Sequence, residues 1–139
     1  TLAEGTFKCP ANWEHSRCLV HIATELRKVI QQTKPEVCAV EGVFFAQNLK
    51  TAIVMGQARG AALVAAGEGG MDIYEIATRK VKQAIVGYGG AQKEAVAKMV
   101  QRMLNLPEPP APDAADALAL ALTYAHMNNG FNLKPPKKI

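Results

Sequence analysis

The run 37–45 (VCAVEGVFF) restricts the fold of this chain more than any other segment. It is short, rich in β-branched and aromatic residues, and almost continuously apolar, with Glu41 as its charged residue. A strand of this kind is expected to be covered on both faces, because a strand with one face in water alternates apolar and polar side chains. We therefore predict a sheet with helices on both faces.

Helical and strand patterns alternate over the rest of the chain. Apolar residues recur at three- and four-residue intervals in the predicted helices, which cover 17–32, 47–66, 78–86, 91–104 and the segment that follows Pro112. Predicted strands cover 2–8, 37–45 and 71–77. This order predicts one α/β domain over residues 1–128, followed by a flexible basic tail over 129–139.

The composition is that of an ordinary globular domain, with 139 residues of which 49% are hydrophobic and 20% charged. No apolar run approaches the roughly 18 residues that span a bilayer, so we expect no membrane partner. Sixteen basic and twelve acidic residues give a net charge of +4, which favours an anionic partner without identifying it. Cys9, Cys18 and Cys38 are odd in number and lack paired spacing, which predicts a reducing compartment.

Gly56 and Gly60 lie four residues apart in the predicted helix 47–66. The absence of side chains would let a neighbouring element approach the helix backbone closely. Internal packing is the favoured interpretation, and a dimer interface is the alternative.

Asp113 and Asp116 stand at the head of the alanine-rich segment 112–122 (PDAADALALAL). Asp113 could accept hydrogen bonds from the free amides of the first helical turn, and Asp116 would lie near the positive end of the helix dipole. The same spacing puts both carboxylates on neighbouring lines of a helix, with Cβ atoms roughly 5–6 Å apart, where they could share a cation. From this segment alone the capping interpretation is favoured.

Glu41 strengthens the metal interpretation. A carboxylate within an apolar strand faces a large desolvation cost unless it is paired, hydrogen-bonded or bound to a metal. Glu41 could instead end the strand and point to solvent or to a lysine, and the residues do not decide between these. Ligands collect beyond the carboxyl ends of strands in open α/β sheets. A site of Glu41, Asp113 and Asp116 would be a hard-oxygen site for Mg²⁺ or Mn²⁺ rather than for zinc.

Basic residues flank the segment 87–90 (GYGG). Arg79 and Lys82 belong to a cluster in the predicted helix 78–86, for which a solvated face is favoured and phosphate binding is the alternative. Lys93 lies in the first turn of the next helix, where a cation opposes the helix dipole and a bound phosphate would offset that cost. The GYGG segment is too short for a dinucleotide or Walker motif, which argues against a nucleotide-cofactor enzyme.

Taken in order, these segments resemble the RuvC family of Holliday junction resolvases, members of the ribonuclease H-like superfold. The resemblance runs from about Thr1 to His126 and rests on Glu41-Gly42-Val43-Phe44 with Asn48, Gly56-Gln57-Ala58-Arg59-Gly60, Val81-Lys82 through Lys93, and Asp113-Ala114-Ala115-Asp116. It implies an α/β fold, a ribonuclease H-like mixed sheet flanked by helices on both faces.

The resemblance further implies a homodimeric crossover junction endodeoxyribonuclease. Such an enzyme cuts four-way DNA junctions in recombination and repair with Mg²⁺, for which Mn²⁺ can substitute. Glu41, Asp113 and Asp116 are implied to be metal-binding catalytic carboxylates. Residues expected to bind DNA are Phe44, Lys82 and Lys93 by the resemblance, with Arg79 added from the basic cluster; a core position is an equal alternative for Phe44. A bacterial, nucleoid-associated cytoplasmic location and a complex with a branch-migration helicase complete these expectations.

One departure concerns the family's first strand, whose G-I-D-P-G-like motif carries an aspartate that completes the site. The aspartates of this chain are Asp72, Asp113 and Asp116, and none stands in such a motif. Thr1–Pro10 resembles the family's third strand, so we expect two strands and one catalytic carboxylate to be missing from these 139 residues, which would leave the chain inactive by itself. A junction-binding dimer that has lost cleavage is the alternative function, and an unrelated α/β domain with capping acids is a third.

Overall fold

The computed structural model describes residues 1–42, 48–128 and 135–139. Its elements follow the chain in the order α1 (His15–Thr33), β1 (Val37–Glu41), α2 (Leu49–Glu68), β2 (Asp72–Ile76), α3 (Thr78–Val86), α4 (Lys93–Leu104), α5 (Pro112–Asn128) and β3 (Lys137–Lys138). The predicted α/β class is confirmed, and helices α1 to α4 begin and end within two residues of their predicted bounds. None of the described helices is long and apolar enough to cross a membrane.

The described strands form a sheet in the order β1-β2-β3. At one end of the first pair, the Asp72 amide donates to the Glu36 carbonyl at 3.2 Å. At the other end, the Gly42 amide donates to the Ile76 carbonyl at 2.8 Å, which fits a parallel β1–β2 pair. Strands β2 and β3 are antiparallel, so the sheet is mixed. The carboxyl ends of β1 and β2 therefore lie at the same edge of the sheet.

Two predicted segments differ from the structure. Residues 2–8 form no strand, because a strand needs a partner for its backbone groups and the described sheet does not include this segment. The predicted flexible tail 129–139 contains β3, in which Lys137 lies opposite Glu75 as a cross-strand pair of opposite charge. The last residues of the predicted strand 37–45 lie outside the described residues.

The chain divides into two compact units, of which the first, the α1–α2 unit, consists of Phe7–Cys38 and the described part of 43–73. Helix α1 packs on helix α2. The Arg27 guanidinium donates to Glu68 Oε2 at 2.6 Å. This exposed ion pair raises the pKa of Arg27 and lowers the pKa of Glu68. The pair joins the two helices at the surface.

The glycines of α2 do not serve internal packing. A Cβ atom built on Gly56 or Gly60 would have no described atom within 4 Å. Large apolar side chains of the same helix are also exposed, Leu49 by 77% and Ile53 by 51%. The internal-packing prediction is therefore wrong for these two glycines, and α2 presents an apolar surface to solvent.

The second unit, the three-helix unit, consists of Thr1–Thr6, Ala39–Gly42 and the described part of 74–139. Helices α3, α4 and α5 pack on one another. Their hydrophobic core is formed by Ile76, Val81, Ile85, Ala91, Val96, Val100, Ala119 and Met127. Thr123 is also fully buried, and its hydroxyl donates to the Ala119 carbonyl at 2.7 Å, so the buried polar atom is satisfied. This core holds the helix ends that carry the charged residues described below.

Candidate active site

Glu41 is the last residue of β1 and lies at the carboxyl end of the strand, one of the two alternatives that the sequence left open. Its side chain is exposed, so it does not face the desolvation cost of a carboxylate within the strand. The hydroxyl of Thr78, the first residue of α3, donates to Glu41 Oε1 at 2.5 Å. The adjacent backbone bond between Gly42 and Ile76 fixes the two strand ends that carry this contact. The parallel pairing thus presents Glu41 to the start of α3.

Asp113 and Asp116 both lie inside the start of α5, after Pro112 as its first residue. A proline suits this position, because the amide that it lacks would have no partner within the helix. The two residues between the acids, Ala114 and Ala115, are only 4% and 2% exposed. Asp113 is exposed and Asp116 is half-buried. The alanines therefore anchor the helix start in the unit, while the two carboxylates remain accessible.

Lys93, the first residue of α4, forms a hydrogen bond with one of these acids. Its ammonium donates to Asp116 Oδ2 at 3.1 Å. This hydrogen bond, with the charge of Asp116, raises the pKa of Lys93, and the charges of Asp113 and Glu41 raise the pKa further. The Lys93 side chain is 66% exposed, so solvent screens the pair. The charges of all three carboxylates nevertheless act on the same ammonium. We call Glu41, Lys93, Asp113 and Asp116 the Lys93 cluster.

The Lys93 cluster has the donor chemistry that a hard divalent cation prefers, because carboxylate oxygens are its acidic groups. Within residues 1–42, 48–128 and 135–139, however, no group of three or more histidine, cysteine, aspartate or glutamate side chains lies close enough to hold a metal ion. Asp116 is turned to Lys93 instead. The carboxylates fit such an ion by chemistry, and an ion bound there would compete with the Lys93 ammonium for Asp116.

Two of the predicted DNA-binding residues, Arg79 and Lys82, lie on α3. Lys82 follows Thr78 by four residues, which puts it on the same side of the helix with Cβ atoms roughly 5–6 Å apart. Lys82 is half-buried and Arg79 is exposed. Lys82 therefore lies one helical turn from the residue that binds Glu41. Phe44, also predicted to contact DNA, lies outside the described residues.

The sequence did not single out Thr78. A hydroxyl residue two positions after β2, at the start of a helix, was the available signal, because neighbouring parallel strands end at the same edge. For Lys93 the sequence suggested a phosphate as the partner that offsets the helix dipole. In the structure the carboxylate of Asp116 has that role.

Comparison with known protein families gives a match over most of the chain. A family model described as "Crossover junction endodeoxyribonuclease RuvC" matches residues 1–124. The protein of that name from Citrifermentans bemidjiense is 50% identical over 108 residues, which are 78% of this chain and 66% of the relative. The protein of that name from Marinobacter nauticus is 52% identical over 103 residues, 74% of this chain and 59% of the relative. The matched part thus spans less than two thirds of the length of these relatives.

Solved structures extend the likeness to the fold. The "Thermus thermophilus RuvC structure" has a TM-score of 0.81 at 38% identity and covers 96% of this chain and 79% of its own. The structure titled "T. thermophilus RuvC in complex with Holliday junction substrate" has a TM-score of 0.82 at 36% identity, with 96% of this chain and 80% of that one covered. The ribonuclease H-like α/β fold expected from the sequence is confirmed. The family match over residues 1–124 shows that this chain belongs to the RuvC family.

Proposed function

We propose that the protein is a structure-selective endonuclease that resolves four-way DNA junctions by metal-dependent phosphodiester hydrolysis, in recombination and repair. The observation that carries this proposal is the Lys93 cluster, in which the Lys93 ammonium donates to Asp116 Oδ2 at 3.1 Å and the charges of Asp113 and Glu41 also raise the pKa of Lys93. Family membership supports it, since one related structure is titled as a complex with a Holliday junction substrate.

In this proposal Glu41, Asp113 and Asp116 are the catalytic carboxylates and hold Mg²⁺, with Mn²⁺ as a substitute. The bound ion would supply Lewis-acid stabilisation of charge on the phosphate oxygens. The chain's own residues prepare the carboxylates for this role. Thr78 orients Glu41 through its hydroxyl hydrogen bond, and Lys93 orients Asp116. The ammonium of Lys93 also attracts the phosphate backbone toward the acids, which would otherwise repel it.

The test of this function is cleavage of a synthetic four-way junction by the full-length protein, with a linear duplex of the same sequence as the substrate control. We expect paired nicks in the junction when Mg²⁺ or Mn²⁺ is added, and none in EDTA. Equal cleavage of the linear duplex would contradict structure selectivity. Tight junction binding without products at any Mg²⁺ or Mn²⁺ concentration would contradict the nuclease and indicate a binding protein.

We also propose that Arg79, Lys82, Lys93 and Phe44 contact the DNA. For Lys82 we expect the substitution Lys82→Ala to weaken junction binding, because an ammonium beside the Lys93 cluster neutralises a phosphate. The slope of log K against log salt concentration should fall by about one unit for each phosphate that the variant no longer neutralises. Titrations at four or more salt concentrations in EDTA measure this slope without cleavage.

Lys28→Ala provides the matched control for Lys82→Ala. Lys28 lies in the α1–α2 unit and pairs with Glu25 at 2.6 Å, so its removal should leave the slope unchanged. If Lys82→Ala and Lys28→Ala give the same slope as the wild type, Lys82 belongs to a solvated face.

We propose further that the protein is a homodimer formed through α2. One face of this helix, the α2 stripe, consists of Leu49, Ile53, Gly56, Gly60 and Val64, and its large apolar side chains are exposed. The stripe is about 22 Å long, since each helical residue rises about 1.5 Å. A second copy of this chain suits it, because the stripe is uncharged, self-complementary by two-fold rotation, and has two glycines that permit close helix approach.

Ile53→Asp is expected to convert the dimer to a monomer, because the substitution would bury an unpaired carboxylate in the interface. Thr51→Asp is the matched control, since Thr51 is an exposed residue of α2 on the face opposite the stripe. Sedimentation velocity at micromolar concentration measures the mass of each variant. A wild-type monomer, or an Ile53→Asp dimer as stable as the Thr51→Asp dimer, would contradict this interface.

Family membership also leads us to propose a place of action in the bacterial cytoplasm at the nucleoid, in a complex with a branch-migration helicase. A fluorescent fusion of the protein is expected to co-localise with DNA. Even distribution through the cell after DNA damage would contradict the nucleoid assignment.

A further inference from the structure

The turn 87–90 (GYGG), which shortly precedes Lys93 in the chain, presents an exposed aromatic side chain in the three-helix unit. Tyr88 is 57% exposed at the tip of this turn. Helix α3 ends at Val86 and is capped by Gly87, which has a left-handed φ of 97°, and α4 begins at Lys93. An exposed tyrosine therefore lies on the short connection between the basic helix α3 and the ammonium that binds Asp116.

The position of the turn is fixed by its backbone contacts. The Gly87 amide donates to the Gln83 carbonyl at 3.0 Å, and the Ala91 amide donates to the Tyr88 carbonyl at 3.4 Å. Ala91 is only 1% exposed and belongs to the core of the unit. The turn is therefore tied at both ends by backbone hydrogen bonds, and the Tyr88 side chain is exposed on it.

Gly89 and Gly90, which follow Tyr88, have no side chains of their own. The side chains of Arg79 and Tyr88 can therefore lie close to the backbone of the turn. A Cβ atom on Gly89 would lie 3.5 Å from Arg79 Nε and 3.4 Å from the Arg79 carbonyl oxygen. A Cβ atom on Gly90 would lie 3.9 Å from Tyr88 Cδ2. The Arg79 side chain thus lies against one glycine and the Tyr88 ring lies near the next, so a cation and an exposed ring border the same turn.

We propose that Tyr88 is a stacking residue for an unpaired base of the junction strand that enters the Lys93 cluster, with Arg79 binding the phosphate next to that base. Aromatic side chains stack on any base because every base has a π face, and a neighbouring cation holds the backbone. The branch point of a four-way junction is where bases can leave their stacks. This proposal rests on the proposed nuclease function and adds a residue that selects for distorted DNA.

Tyr88→Ala is expected to weaken junction binding by about five- to one-hundred-fold, the range for removal of one base stack. The salt slope should stay unchanged, because stacking releases no counterions. Tyr88→Phe should bind within about twofold of the wild type, because it keeps the ring. Tyr88→Leu, which keeps apolar volume without a π face, should bind as weakly as Tyr88→Ala. Binding is measured in EDTA with a junction that carries 2-aminopurine at the branch point.

The fluorescence of 2-aminopurine should be quenched by the wild type and by Tyr88→Phe, and should stay high with Tyr88→Ala and Tyr88→Leu. If the wild type binds the junction no better than a linear duplex, the proposed function fails. If the wild type prefers the junction while Tyr88→Ala and Tyr88→Leu bind and quench as it does, only the stacking proposal fails. A lowered salt slope in these variants would also overturn it, since Tyr88 would then act through a phosphate.

Discussion

Asp116→Asn is expected to reduce metal-dependent junction cleavage by at least about a hundredfold, since the loss of several kcal/mol of charge stabilisation corresponds to tenfold for each 1.4 kcal/mol. Asparagine keeps the shape of the side chain and removes its negative charge. Two effects coincide at this position, because Asp116 is both a proposed metal ligand and the hydrogen-bond partner of Lys93. Single-turnover cleavage of a synthetic junction by the full-length protein measures the loss of rate without a contribution from product release.

The chain offers a matched control for this substitution. Asp72 lies at the opposite end of β2 from the strand ends beside the Lys93 cluster, so Asp72→Asn should cleave at nearly the wild-type rate. Asp113→Asn should resemble Asp116→Asn in activity, because the charge of Asp113 also reaches Lys93. Wild-type cleavage by both Asp113→Asn and Asp116→Asn would show that these acids only stabilise the helix.

A second readout of Asp116→Asn does not depend on activity. Asp116 is the main cause of the raised Lys93 pKa, so the substitution should return this pKa toward its ordinary value of 10.5, as NMR titration would measure. A lysine with a raised folded-state pKa contributes stability below its unfolded pKa, and this contribution is lost as pH rises through the folded pKa. The stability difference between wild type and Asp116→Asn due to Lys93 should therefore disappear at strongly alkaline pH. An unchanged Lys93 pKa would contradict the observed pairing.

Local periodicity predicted the helices well, because the apolar face of a helix consists of residues three and four positions apart in the sequence. The start of α5 at Pro112 follows from a similarly local signal. The contacts within the site could not be predicted in this way. Lys93 and Asp116 are 23 residues apart in sequence, and their hydrogen bond depends on how α4 packs on α5.

Two cases show where local patterns stop being informative. Small residues four apart favour close packing whether the partner is internal or a second chain, so Gly56 and Gly60 could not be assigned from sequence. For Glu41, the apolar neighbours left a desolvated position within the strand and an exposed position at its end equally open. Its exposure follows from its position at the last residue of β1, which depends on where the pairing with β2 ends.

Val100→Ala is expected to lower the free energy of unfolding by about 2–3 kcal/mol, because each buried methylene contributes about 0.8 kcal/mol and the cavity adds to the loss. Val100 is 0% exposed in the core of the three-helix unit, on the helix that begins with Lys93. The midpoint of thermal unfolding should fall by roughly 5–15 °C for a chain of this size. Urea denaturation with an unchanged m value would measure the difference in stability.

Val20→Ala is the control for Val100→Ala, because Val20 lies in α1 and is 65% exposed. Both substitutions exchange valine for alanine within a helix, so the change in helix propensity is shared and cancels in the comparison. Equal stability of the two variants would mean that Val100 does not pack in the core.

Well below the midpoint of its thermal unfolding, the Val100→Ala variant should still cleave junctions at close to the wild-type rate, whereas the Asp116→Asn variant should stay folded and fail to cleave. That contrast separates the residues that hold the three-helix unit together from those that carry out its chemistry.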